Sequence, residues 1–308
     1  MIMSVPFIVG AYASLPTALP EQEEYYATLG AQSWVNGLEI PFRNSITDDP
    51  AWFAAQLPDH FHINVLTPIP GTMQRVGADP AFGLASPDDA GQAAALDFLL
   101  NASWAIKEVN DAAGRQIFTH VELHSAPTGN AHLDPFLHSL DIISQWDWDG
   151  AQLVIEHQDE FIPGQLAQKG FLSLADEIKA ATERNMPIVI NWGRSVIEGR
   201  STDTPLAHVQ QAGAAGVLGG VIFSGSHSEA NSFGPAWNDD HMPLHDDEPS
   251  SLMTVQNVTD VANATRQYPV NFLGAKVSIR PEVSLSTRLD MIRRIAAAAQ
   301  VETGSQIG

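Results

Sequence analysis

The chain contains no cysteine. Disulfides and thiolate chemistry are therefore excluded, which fits a reducing compartment and an expected cytoplasmic location. Basic residues are scarce as well: 15 Lys and Arg stand against 36 Asp and Glu, a formal net charge of -21. Nucleic acids and anionic membrane surfaces both need a basic face, so neither is expected as a partner. No apolar run approaches the ~18 residues of a membrane span. The start, MIMSVPFIVGAYASLP, has no basic segment and breaks early at prolines, and it reads as a first strand rather than a signal peptide. No GxGxxG follows that strand and no GxxxxGK[ST] occurs, so dinucleotide and P-loop readings lack support. A linker rich in Gly, Ser or Pro is also missing, and residues 1–308 read as one domain.

What is present is globular composition, 44% hydrophobic and 17% charged. Short apolar segments alternate with helical patterns. Strands are expected at 7–14, 37–42, 60–68, 118–126, 151–158, 187–193, 216–225 and 272–280. Helices are expected at 21–31, 49–57, 88–113, 132–147, 171–185, 205–215, 250–267 and 282–299. In the last, Leu285, Leu289, Ile292 and Ile295 form one apolar stripe. Eight strands, each followed by a helix, predict an α/β fold, a single closed (β/α)8 TIM barrel. Two stretches, 69–87 and 226–249, are long for connections and read as loops at the carboxyl ends of strands 3 and 7, where barrels carry their chemistry.

The segment LVIEHQDE, Leu153 to Glu160, runs from an apolar strand into a concentrated polar end. Alternation explains it, because one side-chain parity faces the helices and the other the barrel axis. The axial parity collects Glu39, His62, Asn64, His120, Glu122, His124, Glu156, Gln158, Asn191, Lys276, Ser278 and Arg280, with Ser224 and His227 after strand 7. His62 and His120 lie early in their strands and read as satisfied core histidines. The others predict a polar mouth. Buried carboxylates need partners, since an unpaired buried charge costs several kcal/mol. Glu39, Glu122 and Glu156 thus demand a divalent metal, or Lys276 and Arg280. Arg194 and Arg280 could hold a carboxylate, phosphate or sulfonate. In the second loop, Trp237 and Phe233 could cover a sugar face, and Asp239, Asp240 and His241 could bind hydroxyls or a metal.

GLEIP on strand 2, VELHSAP on strand 4, LVIEHQDE on strand 5 and GAKVSIRPE near the end together resemble the xylose-isomerase-like barrels, a superfamily of sugar isomerases and epimerases. Within it the chain is most similar to a bacterial family whose substrate is not known. The resemblance implies a divalent metal held by acid, acid, histidine and acid from strands 5 to 8. Glu156 matches the first position, Asn191 replaces the second, Ser224 (with His227 nearby) stands at the third and Lys276 replaces the fourth. A protonated lysine cannot ligate a metal. The leading expectation is therefore a barrel without the family's metal, in which the Lys276 ammonium balances Glu156. The alternative is a relocated manganese, zinc or magnesium site at Glu122, His124, Glu156 and His227.

These residues predict an isomerase or epimerase acting on a sugar or sugar acid through an enediolate. Glu156 and Glu122 would move protons, Lys276 would stabilise the oxyanion, and His124 and Asn191 would donate hydrogen bonds. Substrate contacts are expected from Glu39, Asn191, Arg194, Ser224, His227, Trp237, His241 and Arg280. A lyase or aldolase forming an imine at Lys276, and a barrel that only binds carbohydrate, stay open as alternatives. The expected partner is a small carbohydrate, with an anionic group on it and a homodimer both left open.

Overall fold

A computed structural model describes residues 5–301. Eight parallel strands close into a barrel in sequence order: β1 (Phe7–Val9), β2 (Gly37–Pro41), β3 (Asn64–Thr67), β4 (Phe118–Leu123), β5 (Gln152–His157), β6 (Ile188–Asn191), β7 (Leu218–Phe223) and β8 (Phe272–Ala275). The helices around them are α1 (Leu19–Gly30), α2 (Pro50–Ala55), α3 (Ile69–Ala78), α4 (Asp89–Ala113), α5 (Leu133–Ile143), α6 (Leu174–Arg184), α7 (Trp192–Gly199), α8 (Thr204–Ala214), α9 (Val255–Thr265) and α10 (Leu285–Ala298). The expected TIM barrel is the observed fold. Among the described residues no helix is long and apolar enough to cross a membrane.

Local chemistry sets the element ends. Ser284 accepts from the Thr287 backbone N–H and starts α10, whose Ile292 and Ile295 are buried against the barrel. Ser173 caps α6 in the same way, and Asn185, with φ 52°, ends it in a left-handed turn.

The barrel interior is filled in layers. Ile8, Val65, Val154, Val189, Ile222 and Phe272 form a compact apolar cluster inside it. Two residues further along the same strands the interior turns polar, at Thr67, Glu156, Asn191 and Ser224, and Lys276, four residues past Phe272, joins them. The apolar layer is the floor and the polar layer the mouth. On β1 the corresponding position is Gly10. A Cβ there would lie 2.9 Å from both Glu39 Oε2 and Lys276 Cβ, so the missing side chain is what leaves room for that pair.

Four expectations change. Residues 69–87 are not a loop: they open with α3, with Pro70 in its first turn, where a missing N–H costs nothing. The 187–193 strand stops at Asn191, because that side chain caps α7 by accepting from the Arg194 backbone N–H at 3.4 Å. On β3 the register shifts between Asn64 and Val65, so Val65 and Thr67 take the axial parity. His62 therefore lies outside the strand, exposed, and is no core histidine. Residues 226–249 are indeed without helix or strand, and the antiparallel bridge Gly225–Met242 closes the base of that loop.

Candidate active site

At the carboxyl ends of the strands lies a cavity of about 220 Å³. Its polar wall includes Glu156 and Gln158 from the end of β5, Asn191 from β6 and Lys276 just past β8. Tyr12, from the turn after β1, joins them, and Ile69, Pro70 and Met73 of α3 supply an apolar wall opposite in character. The stretch read as a loop thus does reach the site, as the first turns of a helix.

Two acids share one lysine, unequally. Lys276 donates to Glu39 Oε1 at 2.5 Å and to the Tyr12 hydroxyl at 3.2 Å. Glu156 instead accepts from His124 Nε2 at 2.8 Å and from the Asn191 amide at 3.1 Å. The expected direct pairing of Lys276 with Glu156 is therefore corrected to Lys276 with Glu39. Lys276 is nevertheless near enough to act on Glu156. Burial alone would raise the Glu156 carboxyl, but the Lys276 charge and the His124 and Asn191 hydrogen bonds hold it far below the usual carboxylate range. Burial works against the lysine proton too, yet Glu39, Tyr12 and Glu156 keep the ammonium well above its ordinary range.

Glu122 behaves oppositely. It is fully buried, and neither carboxyl oxygen has a hydrogen-bond partner among the described residues. Burial and the charges of Glu156 and Glu39 push its carboxyl well above the usual carboxylate range. Glu39, Glu122 and His124 lie behind the cavity wall rather than on it.

A second group gathers at the rim. Arg194, at the start of α7, hydrogen-bonds Asp239 and lies 3.7 Å from Asp159. Its Nε and Nη1 have no hydrogen-bond partner among the described residues. Lys169 lies 3.6 Å from Asp239, and His241 contacts Asp239 at 3.3 Å and Ser224 at 2.8 Å. Burial and the Arg194 charge depress Lys169 well below the lysine range. Burial and the cations Lys276, Arg194 and Lys169 do the same to His241 and keep it neutral. Asp159 positions Lys169 by accepting from the backbone N–H groups of Gln168 and Lys169 at 2.7 and 3.0 Å.

Three expected contacts lie elsewhere. Arg280 is on the outer rim, paired with Ser232 and Glu248 and stacked on Phe233, because β8 ends at Ala275 and strand alternation does not continue that far. Trp237 packs under Arg200 rather than over the cavity. His227 is locked inside its own loop by Asp240 at 2.6 Å and the Glu229 carbonyl, so it joins neither the carboxylates nor a metal set. Tyr12 and Lys169 were not singled out from the sequence. The signal for Lys169 was rarity, since the only other lysines are Lys107, Lys179 and Lys276.

The divalent metal implied by the sequence resemblance does not fit the four strand positions. Lys276 offers only donors, Asn191 spends its amide on Glu156, and Ser224 is tied to His241. Glu122, His124 and Glu156 do bring ligand atoms within 4.8 Å of one another. There His124 Nε2 is already bound to Glu156, and the Lys276 ammonium that stabilises Glu156 would repel a divalent ion.

Among solved structures the chain is similar to a D-tagatose 3-epimerase-like protein, at 14% identity and TM-score 0.60, covering 97% of this chain and 100% of that one. It is also similar to a D-psicose 3-epimerase, at 13% identity and TM-score 0.59, covering 98% and 100%. An L-ribulose 3-epimerase follows at 13% identity and TM-score 0.56, covering 97% and 92%. These neighbours share the closed (β/α)8 barrel fold of this chain. An uncharacterized protein of Salmonella typhimurium strain LT2 is 33% identical over 298 residues, covering 93% of this chain and 94% of that protein. The sequence profile of the family described as a domain of unknown function, DUF4862, matches residues 8–291, and the chain belongs to that family.

Proposed function

We propose that this barrel catalyses proton transfer at a carbon next to a carbonyl in a small sugar or sugar acid, without a metal at its mouth. One observation carries the reading: an ionised carboxylate, Glu156, and an ammonium, Lys276, line the same cavity. Glu156 takes the proton from the carbon. Negative charge then develops on the carbonyl oxygen, and Lys276, with the Tyr12 hydroxyl beside it, stabilises the enediolate. Returning the proton from Glu156 to the neighbouring carbon, while that carbon's hydroxyl proton passes to the former carbonyl oxygen, completes an isomerisation with one carbon base. Inversion at a single carbon needs a second proton carrier, and Lys169 in the cavity wall, whose lowered basicity eases release of its proton, is the available group. His124 and Asn191 act through Glu156, which they hold ionised and oriented. Glu122, behind the cavity wall and raised well above the usual carboxylate range, is not assigned a proton-transfer role.

The lyase alternative needs an uncharged Lys276 to attack a carbonyl. The carboxylates around that amine oppose this by keeping it protonated. The fold neighbours are named for D-tagatose, D-psicose and L-ribulose, which makes ketoses and the related sugar acids the first substrates to test. In D2O, NMR should show deuterium entering the carbon next to the carbonyl. Glu156→Gln should slow that exchange by about 10²–10⁴-fold. An unchanged rate in Glu156→Gln, or a borohydride-trapped adduct on Lys276, would refute the mechanism.

A further inference from the structure

Behind β5, on the side facing the helices, a second cluster has no part in the mechanism above. It contains His157 at the end of β5, Glu177 on α6, Glu198 on α7 and His208 on α8, all buried. Ligand atoms of His157, Glu198 and His208 lie within 4.8 Å of one another.

Hydrogen bonding fixes the orientation of both rings. His157 Nδ1 lies 2.6 Å from Glu177 Oε2, a carboxylate that can only accept, so Nδ1 carries a proton. His208 Nδ1 lies 3.0 Å from Ser195 Oγ. That hydroxyl also lies 3.2 Å from the Asn191 carbonyl, and when it donates there it accepts from His208 Nδ1–H. In that arrangement the neutral rings turn both Nε2 lone pairs toward the Glu198 carboxylate, at 3.1 Å from Oε2 and 3.2 Å from Oε1. Acceptor against acceptor at that distance is repulsive unless a cation lies between. Either a proton on each Nε2 relieves it, or one divalent ion does the work of both.

We propose that His157 Nε2, His208 Nε2 and a Glu198 carboxylate oxygen bind a zinc ion. Two imidazoles and one carboxylate are a donor set zinc accepts, leaving a fourth position for water. Bonds of about 2.0–2.1 Å in tetrahedral geometry place ligand atoms about 3.3 Å apart; His157 Nε2 lies 3.1 Å from Glu198 Oε2 and His208 Nε2 3.2 Å from Oε1, so a small turn of the carboxylate presents one oxygen to both rings. Glu177 and Ser195 supply the outer hydrogen bonds that metal-bound histidines characteristically make. The ion's two charges cancel those of Glu177 and Glu198. It would tie β5, α7 and α8 together behind Glu156, the chain neighbour of His157, and independently of the proposed reaction.

Chelator-treated protein titrated with zinc chloride tests this by calorimetry and thermal melting. The expected result is one equivalent bound with a rise in Tm. Binding should be lost in His208→Gln, weakened about 10–100-fold in Glu177→Gln and retained in Glu156→Gln. X-ray absorption on the zinc-loaded wild type reads the ligands without any substitution: two imidazoles support the site. No zinc uptake by the wild type would overturn the proposal. So would a single imidazole ligand, or binding lost in Glu156→Gln and kept in His208→Gln, since either puts the ion at the mouth with His124.

Discussion

Replacing Lys276 by methionine keeps the length of the side chain and removes its charge. Lys276 is 1% exposed and its Nζ lies 2.5 Å from Glu39 Oε1. At an effective dielectric constant near 20 the attraction is about 7 kcal/mol, offset by the desolvation of both ions. Removing one partner of such a buried pair costs about 3–5 kcal/mol, because the survivor stays buried and unpaired. Lys276→Met should therefore lose about that much in urea unfolding, with an unchanged m-value. Adding Glu39→Gln removes the stranded charge and should recover about half of the loss. The remainder reflects Glu156, which also feels the ammonium. A single-variant cost under about 1 kcal/mol, or a double variant no more stable than the single, would refute the pairing and the role built on it.

Other perturbations follow from the same geometry. Glu122→Gln replaces a carboxyl whose burial favours its neutral form by a neutral group of the same shape, so stability should change by less than about 1 kcal/mol and exchange activity should persist; a large loss of either shows that Glu122 is ionised or bound to a metal. Gly10→Ala puts a methyl 2.9 Å from Glu39 Oε2 and Lys276 Cβ, and should cost about 1–3 kcal/mol with reduced turnover, read by thermal melting and the deuterium assay. In metal-free protein, His157 is opposed by burial but raised to about 10 by Glu177 and Glu198. It binds its proton more tightly folded than unfolded, so its contribution is complete below about pH 6.5 and disappears as pH climbs to about 10. Denaturant titrations should show that decline in the wild type and a flatter curve in His157→Gln. Glu156, lowered on folding, contributes above about pH 4.3 and loses that contribution as pH falls further.

The barrel was legible because period-two and period-3.6 patterns alternate along the whole chain. The same alternation marked Glu39, Glu156, Asn191 and Lys276 as axial, and they do meet at one mouth. What alternation cannot tell is which acid a lysine reaches. Lys276 follows β8 and β8 pairs with β1, where Gly10 has no side chain, so the amine passes over that gap to Glu39 beyond it. Nothing local to GAKVSIR or LVIEHQ carries this information. Parity also fails where a strand ends or slips. Arg280 lies past the end of β8 and His62 precedes the register shift on β3. His157 has the outward parity and would ordinarily be apolar, which was the one sequence signal for the second cluster. Helix α3 was hidden by its glycines, although Pro70 at its start fits a helix as well as it fits a loop.

Anomalous diffraction from crystals of the protein grown with manganese chloride tests the central claim most directly. The account predicts no anomalous peak within coordinating distance of Glu156, and Lys276 Nζ hydrogen-bonded to Glu39. A manganese peak among Glu122, His124 and Glu156, with the Lys276 amine displaced from Glu39, would contradict it.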